Sequence, residues 1–376
     1  MRKKLLLGAL FVVLINNAKA DIILENDYLN NDTIKGEKSG FEIRGGANLI
    51  NNGTVEGDSG ILIRSSGDVG DIYNGGIIKG IAALEDWWSG NAIVNMASGN
   101  LGNIYNAGVI AGTTDFNGAW LSGNAIIGST IGGILNNGII SGNIKTNDGL
   151  RVNTSGNGIQ LGTSSGGNFG IVNNSGIISG NGKGADLLSS GNGIYLYQKV
   201  IKENINNEGI IRGEVNLEGK GDLSTGNSGN GTSGVNIEDN SGVVLGKTFV
   251  TNKDYNNGAT IYVSLSEVGN GVLRGNIQNN SGLIKGELIE DKLEKTLNKG
   301  AGLSSGSGIS GKIETNSGNI IGKYVKTEIS DSLPSGTSGT FGIARAGNGI
   351  VGAVKNNLGI ISGKGLKLMM LIHHRT

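Results

Sequence analysis

Short runs of aliphatic residues alternate with polar, glycine-rich breaks along nearly the whole chain, and the breaks resemble one another. Asn136-Asn137-Gly138-Ile139-Ile140-Ser141-Gly142 is one instance of a phrase that reads Asn, any residue, Gly, any residue, an aliphatic, any residue, Gly. The same phrase begins at Asn51, Asn74, Asn106, Asn174, Asn207, Asn240, Asn280, Asn316 and Asn357, and a degenerate first copy begins at Asn30 with Asp32 in place of glycine. Successive copies lie roughly 20 to 40 residues apart, the spacing of a stacked repeat architecture.

The residue types predict what each copy builds. Asn-x-Gly suits a tight corner, because glycine tolerates positive φ and asparagine does so better than most residues. The flanking aliphatics, such as Ile134 before the corner and Ile139 and Ile140 after it, favour a half-buried pleated surface. Each copy therefore reads as strand, corner, strand. A second phrase lies between the copies, at Ser89-Gly90-Asn91-Ala92-Ile93, Ser122-Gly123-Asn124-Ala125-Ile126, Ser155-Gly156-Asn157-Gly158-Ile159 and Ser190-Gly191-Asn192-Gly193-Ile194. It supplies a third strand per period. The expected fold is all-β, a parallel β-helix of about eleven coils with three short strands per coil. Stacked at the usual strand spacing, those coils make a rod roughly 50 Å long.

One coil cannot bury its apolar side alone, so the coils share one continuous interior. The corner asparagines Asn51, Asn74, Asn106, Asn136, Asn174, Asn207, Asn240, Asn280, Asn316 and Asn357 are expected to form a structural ladder, each amide bonding the next along the axis. A helical solenoid is disfavoured by composition: the chain holds 70 glycines, and each glycine inside a helix costs roughly 1 kcal/mol relative to alanine. Disorder fails too, because the apolar residues recur in phase and the chain has a single proline.

The two ends depart from the repeat. Residues 1–20 read as a secretory signal peptide: basic Arg2-Lys3-Lys4, an apolar run from Leu5 to Leu14, and Ala18-Lys19-Ala20 before the cut. Residues 21–365 form the repeat region, and residues 366–376 an aberrant tail in which the phrase stops. The chain has no cysteine, so an exported form needs no disulfide and draws its stability from the shared interior. Formal charge is zero, and removal of the signal leaves 27 basic against 31 acidic residues. No basic stripe is present, which argues against nucleic acid as a partner.

The signal peptide, the Asn-x-Gly-x-Ile-x-Gly coils, the Gly/Asn/Ser-rich composition and the lack of cysteine together resemble the passenger regions of bacterial autotransporters and related filamentous surface adhesins. The resemblance covers residues 21–365. It implies export, display at the outer membrane or secretion, and adhesion to a host-cell or glycan ligand. It also implies an outer-membrane translocator barrel, which this chain lacks. The sequence then reads either as a truncated family member or as a chain translocated by another protein.

Candidate chemistry is sparse. Gly162-Thr163-Ser164-Ser165-Gly166 and Gly302-Leu303-Ser304-Ser305-Gly306 fit the nucleophile-elbow pattern, but the only histidines are His373 and His374 in the tail. Gly306 to Lys312 and Gly242 to Thr248 each miss the phosphate-loop pattern by one feature, and Gly182 to Asp186 is a lone echo of a calcium repeat. No cofactor and no metal site are expected. Carboxylate pairs matter more, because parallel β-helices also house polysaccharide lyases and hydrolases. Asp68 and Asp71 flank a corner. Glu85 and Asp86 stand beside Trp87 and Trp88 in an insertion, a candidate ligand site because aromatic faces stack on sugars. Leu288, Ile289, Leu293 and Leu297 share one side at helical spacing, predicting a short amphipathic helix over residues 287–298. The reading that follows is a non-enzymatic exported stalk, adhesin-like, binding through its insertions. The alternatives are a carbohydrate-active β-helix enzyme and a truncated remnant of a longer autotransporter.

Overall fold

The computed structural model of the chain describes residues 22–371 apart from 65, 83–88, 96–98, 116–120, 147–150, 163–168, 197–203, 220–222, 253–260, 292–295, 302–304 and 331–346. Every regular element among them is a strand, and the strands wind into a parallel β-helix. One coil runs through Ile93–Asn95 on a first face, Leu101–Asn106 on a second, and Val109–Thr114 on a third. Each pairs in parallel with its counterpart above: Ile93 with Ile126, Ile104 with Ile134, Ile110 with Ile140. The third face is an 11-stranded sheet, one strand per coil. The first two faces join into a 20-stranded sheet, because Ile309–Asn316 pairs with strands of both.

The phrase corners are two residues long in coil after coil. A second-face strand ends at Asn106, Asn136 or Asn174, and the third-face strand begins at Val109, Ile139 or Ile177. The reason for their glycine differs from the expectation. None of these corner glycines has a positive φ. What forbids a side chain is the coil beneath. A Cβ on Gly108 would stand 2.0 Å from the carbonyl oxygen of Gly76, and one on Gly138 would stand 2.1 Å from that of Gly108. The left-handed backbone lies instead in the second phrase, as at Gly123 with φ 66°.

The corner asparagines form the expected ladder, and it is unbroken. Each side-chain amide donates to the side-chain oxygen of the next, from Asn30 to Asn51 at 2.7 Å, through Asn106 to Asn136 and Asn136 to Asn174 at 2.8 Å, to Asn316 and Asn357 at 2.7 Å. The corner backbone joins in, since Asn137 N–H and Gly138 N–H both donate to the Asn106 carbonyl.

A second ladder, not foreseen, runs through the asparagines of the Ser-Gly-Asn phrase. Asn124 donates its backbone N–H and its amide to Asn91 Oδ1, at 2.8 and 3.1 Å. Asn157, Asn192, Asn230 and Asn270 repeat the arrangement. Here each amide donates to the coil before it, so the two rows point in opposite senses along the axis. Ser307 takes the place of asparagine above Asn270 and continues the row with its backbone N–H alone, at 2.9 Å.

Inside, aliphatic columns stack in register. Ile78, Ile110, Ile140, Ile178 and Ile211 on the third face are fully buried, as are Ile93, Ile126, Ile159 and Ile194 on the first. The first-face column is interrupted by Thr232, which pairs with Ile194 below and Val272 above. Thr232 is 0% exposed and its hydroxyl has no hydrogen-bond partner. A buried unmade hydrogen bond costs about 1–3 kcal/mol. Thr232→Val keeps the shape and removes the polar atom, so it is expected to stabilise the rod by about 1 kcal/mol, read as a rise in the denaturation midpoint. An unchanged or lowered midpoint would contradict this account.

The middle coils are wider than the pattern implied. Third-face strands lengthen from Thr33–Lys35 to Ile210–Gly219 and Asn319–Ser330. Beside them a separate five-stranded parallel sheet forms from Arg151–Asn153, Asp186–Leu188, Leu223–Gly226, Ile261–Ser266 and Thr296–Ala301. A second core lies here, built around Val152, Leu187, Val215, Leu217, Leu265 and Leu288. These insertions are a subsidiary sheet rather than loops, and Ser224 sits within one of its strands.

The amphipathic helix expected over 287–298 is not found. Glu287 to Asp291 continue the strand Leu283–Asp291, and Leu288 pairs with Thr248 and Tyr324. Parallel neighbours on both sides satisfy its backbone. Leu288 turns inward and Ile289 outward, which is strand alternation rather than a helical face. The phrase ends at Gly363, but the pairing runs on, with the strand Ile360–Leu371 matched to Asn319–Ser330 up to Leu371.

Candidate functional site

The insertion that carries Glu85, Asp86, Trp87 and Trp88 lies outside the described residues, as do residues 1–20 and both histidines. The corner asparagines from Asn51 to Asn357 act as scaffold: those from Asn51 to Asn316 are at most 2% exposed, with their amides spent on one another. Other chemistry therefore has to come from the outer faces and the two remaining corners.

Most of the motif echoes resolve into repeat structure. Lys247 stands on a third-face strand, 3.6 Å from Glu214. Gly306 is the left-handed residue of a Ser-Gly corner, with φ 64°. Gly182 and Asp186 fall in two successive strands, and the described residues contain no cluster of metal-ligating side chains. Glu287 is nearly buried and accepts ion pairs from Lys285 at 3.0 Å and from Lys323 at 2.5 Å. Burial pushes its carboxyl up, but the hydrogen bonds and charges of the two lysines outweigh that and hold it below the usual range.

Asp68 and Asp71, the carboxylate pair read from the sequence, do find a common setting. They stand where the first face turns into the second, beside a shallow groove of about 490 Å³ that crosses four coils. Beneath it lie Val69, Leu101, Ile131 and Phe169, one from each coil and in register, all of them core side chains at most 7% exposed. Gly102, Gly132 and Gly170 keep it open at backbone level. A Cβ on Gly170 would collide with the carbonyl oxygen of Gly132, and one on Gly102 would reach Asp71 Oδ1 at 2.4 Å.

The rim is polar and repeats at one-coil spacing. Asp68 Oδ1 accepts the backbone N–H of Asn100 at 3.2 Å and its amide at 2.9 Å. Asp71 Oδ1 accepts the backbone N–H of Asn103 at 2.7 Å and its amide at 3.4 Å. Tyr73 leans back and donates its hydroxyl to Asp71 Oδ2 at 3.1 Å. That bond, with smaller help from burial and from the carboxylate's charge, lifts the Tyr73 phenol above its ordinary value. Tyr105 stacks on Tyr73 with ring centroids 4.7 Å apart and planes 4° from parallel. Ile50 and Leu135 extend the row below and above in register, both about two-fifths exposed.

The sequence placed the two carboxylates near each other, but not the tyrosines or the asparagines that hold the carboxylates. Their signal was present: Asp71-Ile72-Tyr73 and Asn103-Ile104-Tyr105 share one pattern, and adjacent coils superpose equivalent positions. The arrangement sets carboxylates, amides and phenol hydroxyls along one line on the outside of the rod. No protein-family model, no curated protein and no solved structure matches this chain.

Proposed function

We propose that this protein is an exported, non-enzymatic β-helical stalk that displays binding features at the cell surface, in the manner of an autotransporter passenger. The observation that carries the reading is the continuous Asn30-to-Asn357 ladder. It joins all the coils into one rod, with the variable connections kept to the other two corners. A rigid scaffold with variable connections is the arrangement in which recognition residues concentrate. The basic and apolar N-terminal segment supports export, and passage across the outer membrane then requires a translocator β-barrel. The ligand is a host-cell or glycan surface rather than nucleic acid, and no cofactor takes part.

The test displays the full chain on a Gram-negative surface beside a candidate barrel partner and measures attachment to host cells. Attachment is expected with the wild-type chain and is expected to fall several-fold in a Trp87→Ala, Trp88→Ala variant whose β-type circular dichroism is intact. A chain that stays in the cytoplasm, or one that reaches the surface and confers no attachment, would defeat the reading. Turnover of a polysaccharide by the purified chain, lost on changing Glu85 or Asp86, would replace it with a carbohydrate-active enzyme.

A further inference from the structure

The geometry points to Tyr73 and Tyr105 as a site of oxidative modification, where a one-electron oxidant couples the two phenols into dityrosine and so joins two successive coils covalently. The inference goes beyond the stalk reading and does not depend on it. It needs the folded rod and an oxidant that draws its electrons to peroxide.

The first observation is the stack. Tyr73 pairs with Tyr105 across adjacent second-face strands. Their rings lie 4.7 Å apart and 4° from parallel, which is the spacing of the strands themselves. Two directly bonded phenols have ring centres slightly closer than this. Bond formation therefore asks the rings to twist about their side-chain torsions while the backbone keeps its register. Tyr73 is 40% exposed and Tyr105 half-buried, so the rings have room to turn and an oxidant can reach them. Among the described residues no other two tyrosines are in ring contact. Tyr195 and Tyr324 are at most 7% exposed, and Tyr28 sets its ring edge to face against Phe41. Ile50 and Leu135 stand in register at the two ends of the stack. Neither is oxidised by a phenoxyl radical, so a radical formed in this column stays with the two phenols.

The second observation is the proton acceptor. A phenol loses an electron most easily when its proton leaves with it. Asp71 Oδ2 accepts the Tyr73 hydroxyl at 3.1 Å and is placed to take that proton as a base. The Asn103 backbone N–H holds the other carboxylate oxygen at 2.7 Å, which fixes the orientation. The bond to Asp71, with smaller help from burial and from the carboxylate's charge, also raises the Tyr73 phenol. At neutral pH it keeps its proton until the electron goes. In the coil of Tyr105 the equivalent place belongs to Asn103, an amide that takes up no proton. Tyr73 is therefore oxidised first.

The steps balance. The oxidant removes one electron from Tyr73, and the phenolic proton passes to Asp71 and on to water. A second oxidation removes one electron from Tyr105, whose proton goes to water directly. The two phenoxyl radicals join through ring carbons ortho to oxygen. The hydrogens on those carbons then move to the oxygens, which restores both hydroxyls and both aromatic rings. Two electrons and two protons have left the protein, and one hydrogen peroxide takes them up to give two waters. Because the rings are held together before the radicals form, coupling within a chain outruns coupling between chains in dilute solution.

The experiment treats the purified full chain, at micromolar concentration, with a haem peroxidase and hydrogen peroxide. Dityrosine is followed by its blue fluorescence, and the link is located by mass spectrometry of proteolytic peptides. The expected product is a monomeric chain in which the peptides carrying Tyr73 and Tyr105 are joined with the loss of two hydrogens. Tyr105→Phe keeps the stacked ring and removes the phenol, and it is expected to lower the yield of intramolecular dityrosine about tenfold. Asp71→Asn keeps an oxygen acceptor for the Asn103 N–H but takes no proton, and it is expected to slow the initial rate several-fold. Untreated variants that melt with the untreated wild type establish that both substitutions leave the rod folded. A cross-link between coils restricts the unfolded chain, so the treated wild type is expected to melt above the untreated one, and the treated Tyr105→Phe chain is not. Dityrosine formed only between chains, a link that maps to other tyrosines, or an undiminished yield in Tyr105→Phe would each overturn the inference. A wild-type rate in Asp71→Asn would overturn the assignment of Asp71 as the base.

Discussion

Replacing Gly142 with alanine is expected to open the rod at its centre. The Cβ of an alanine there would stand 1.9 Å from the carbonyl oxygen of Asn157 and 2.4 Å from its carbonyl carbon. Both atoms are backbone, and Asn157 is itself fixed in the second ladder by bonds to Asn124 and from Asn192. Neither side of the collision has a free rotamer, so one strand has to leave its register. Overpacking in a compliant core costs 1–3 kcal/mol, and a clash between two backbones in a rigid stack belongs above that range, at more than about 3 kcal/mol. Chemical denaturation measures it. The equivalent glycines Gly112 and Gly180 face Asn124 and Asn192 at 2.0 and 1.8 Å and are expected to behave alike. Gly365, which has nothing within 4 Å, is the control, and its alanine variant is expected to melt with the wild type. Equal midpoints for Gly142→Ala and Gly365→Ala would remove close approach as the reason for the glycine.

Asn136→Leu is expected to be nearly as damaging, for a different reason. Asn136 donates to Asn174 Oδ1 at 2.8 Å and to the Ile177 carbonyl at 3.2 Å, and it accepts from Asn106 at 2.8 Å. Leucine is similar in size but leaves one Asn106 amide hydrogen unpaired, the other still meeting the Ile139 carbonyl at 3.2 Å, and Asn174 Oδ1 without its donor, both where water has no access. Each unmet group costs about 1–3 kcal/mol, so a loss of about 3 kcal/mol is expected in total. Hydrogen exchange gives a sharper check than a midpoint. Amides of the coils either side of Asn136 should lose protection together, while those near Ile277 and Ile313 keep theirs. A uniform loss along the chain, or none, would argue against a ladder acting between neighbours.

The fold was legible because one corner tolerates so little. Asn-x-Gly recurs since each Asn must meet the next and each Gly must clear the backbone below. Its phrase therefore survives insertions elsewhere. The reason for the glycine was misread, because sequence records the missing Cβ without recording whether dihedral angle or neighbour excludes it. Ser-Gly-Asn was legible as a strand marker, but its asparagine passed unnoticed as a ladder member. The subsidiary sheet left no mark: strands such as Arg151–Asn153 and Asp186–Leu188 are three residues long and carry no shared phrase. The spurious helix arose because leucines at helical spacing also suit a strand that buries alternate residues, and only the neighbouring coils decide between them. At the groove, Asp68 and Asp71 were visible as a local pair. Their partners Asn100 and Asn103 lie 32 residues away and become neighbours only through stacking.

The corner spacing also sets how such a rod responds to a pull. Tension applied through the two ends of the chain acts along the axis, across the bonds between one coil and the next, so coils detach one at a time from an end. Each detachment frees the chain between successive corner asparagines, a length that runs from 21 residues between Asn30 and Asn51 to 41 between Asn316 and Asn357. Extended, these correspond to roughly 70 to 140 Å of released tether per coil, many times the height of the coil lost. A rod built in this way yields by lengthening in steps of unequal size. Its remaining coils stay folded and keep their shape while the tether beside them pays out.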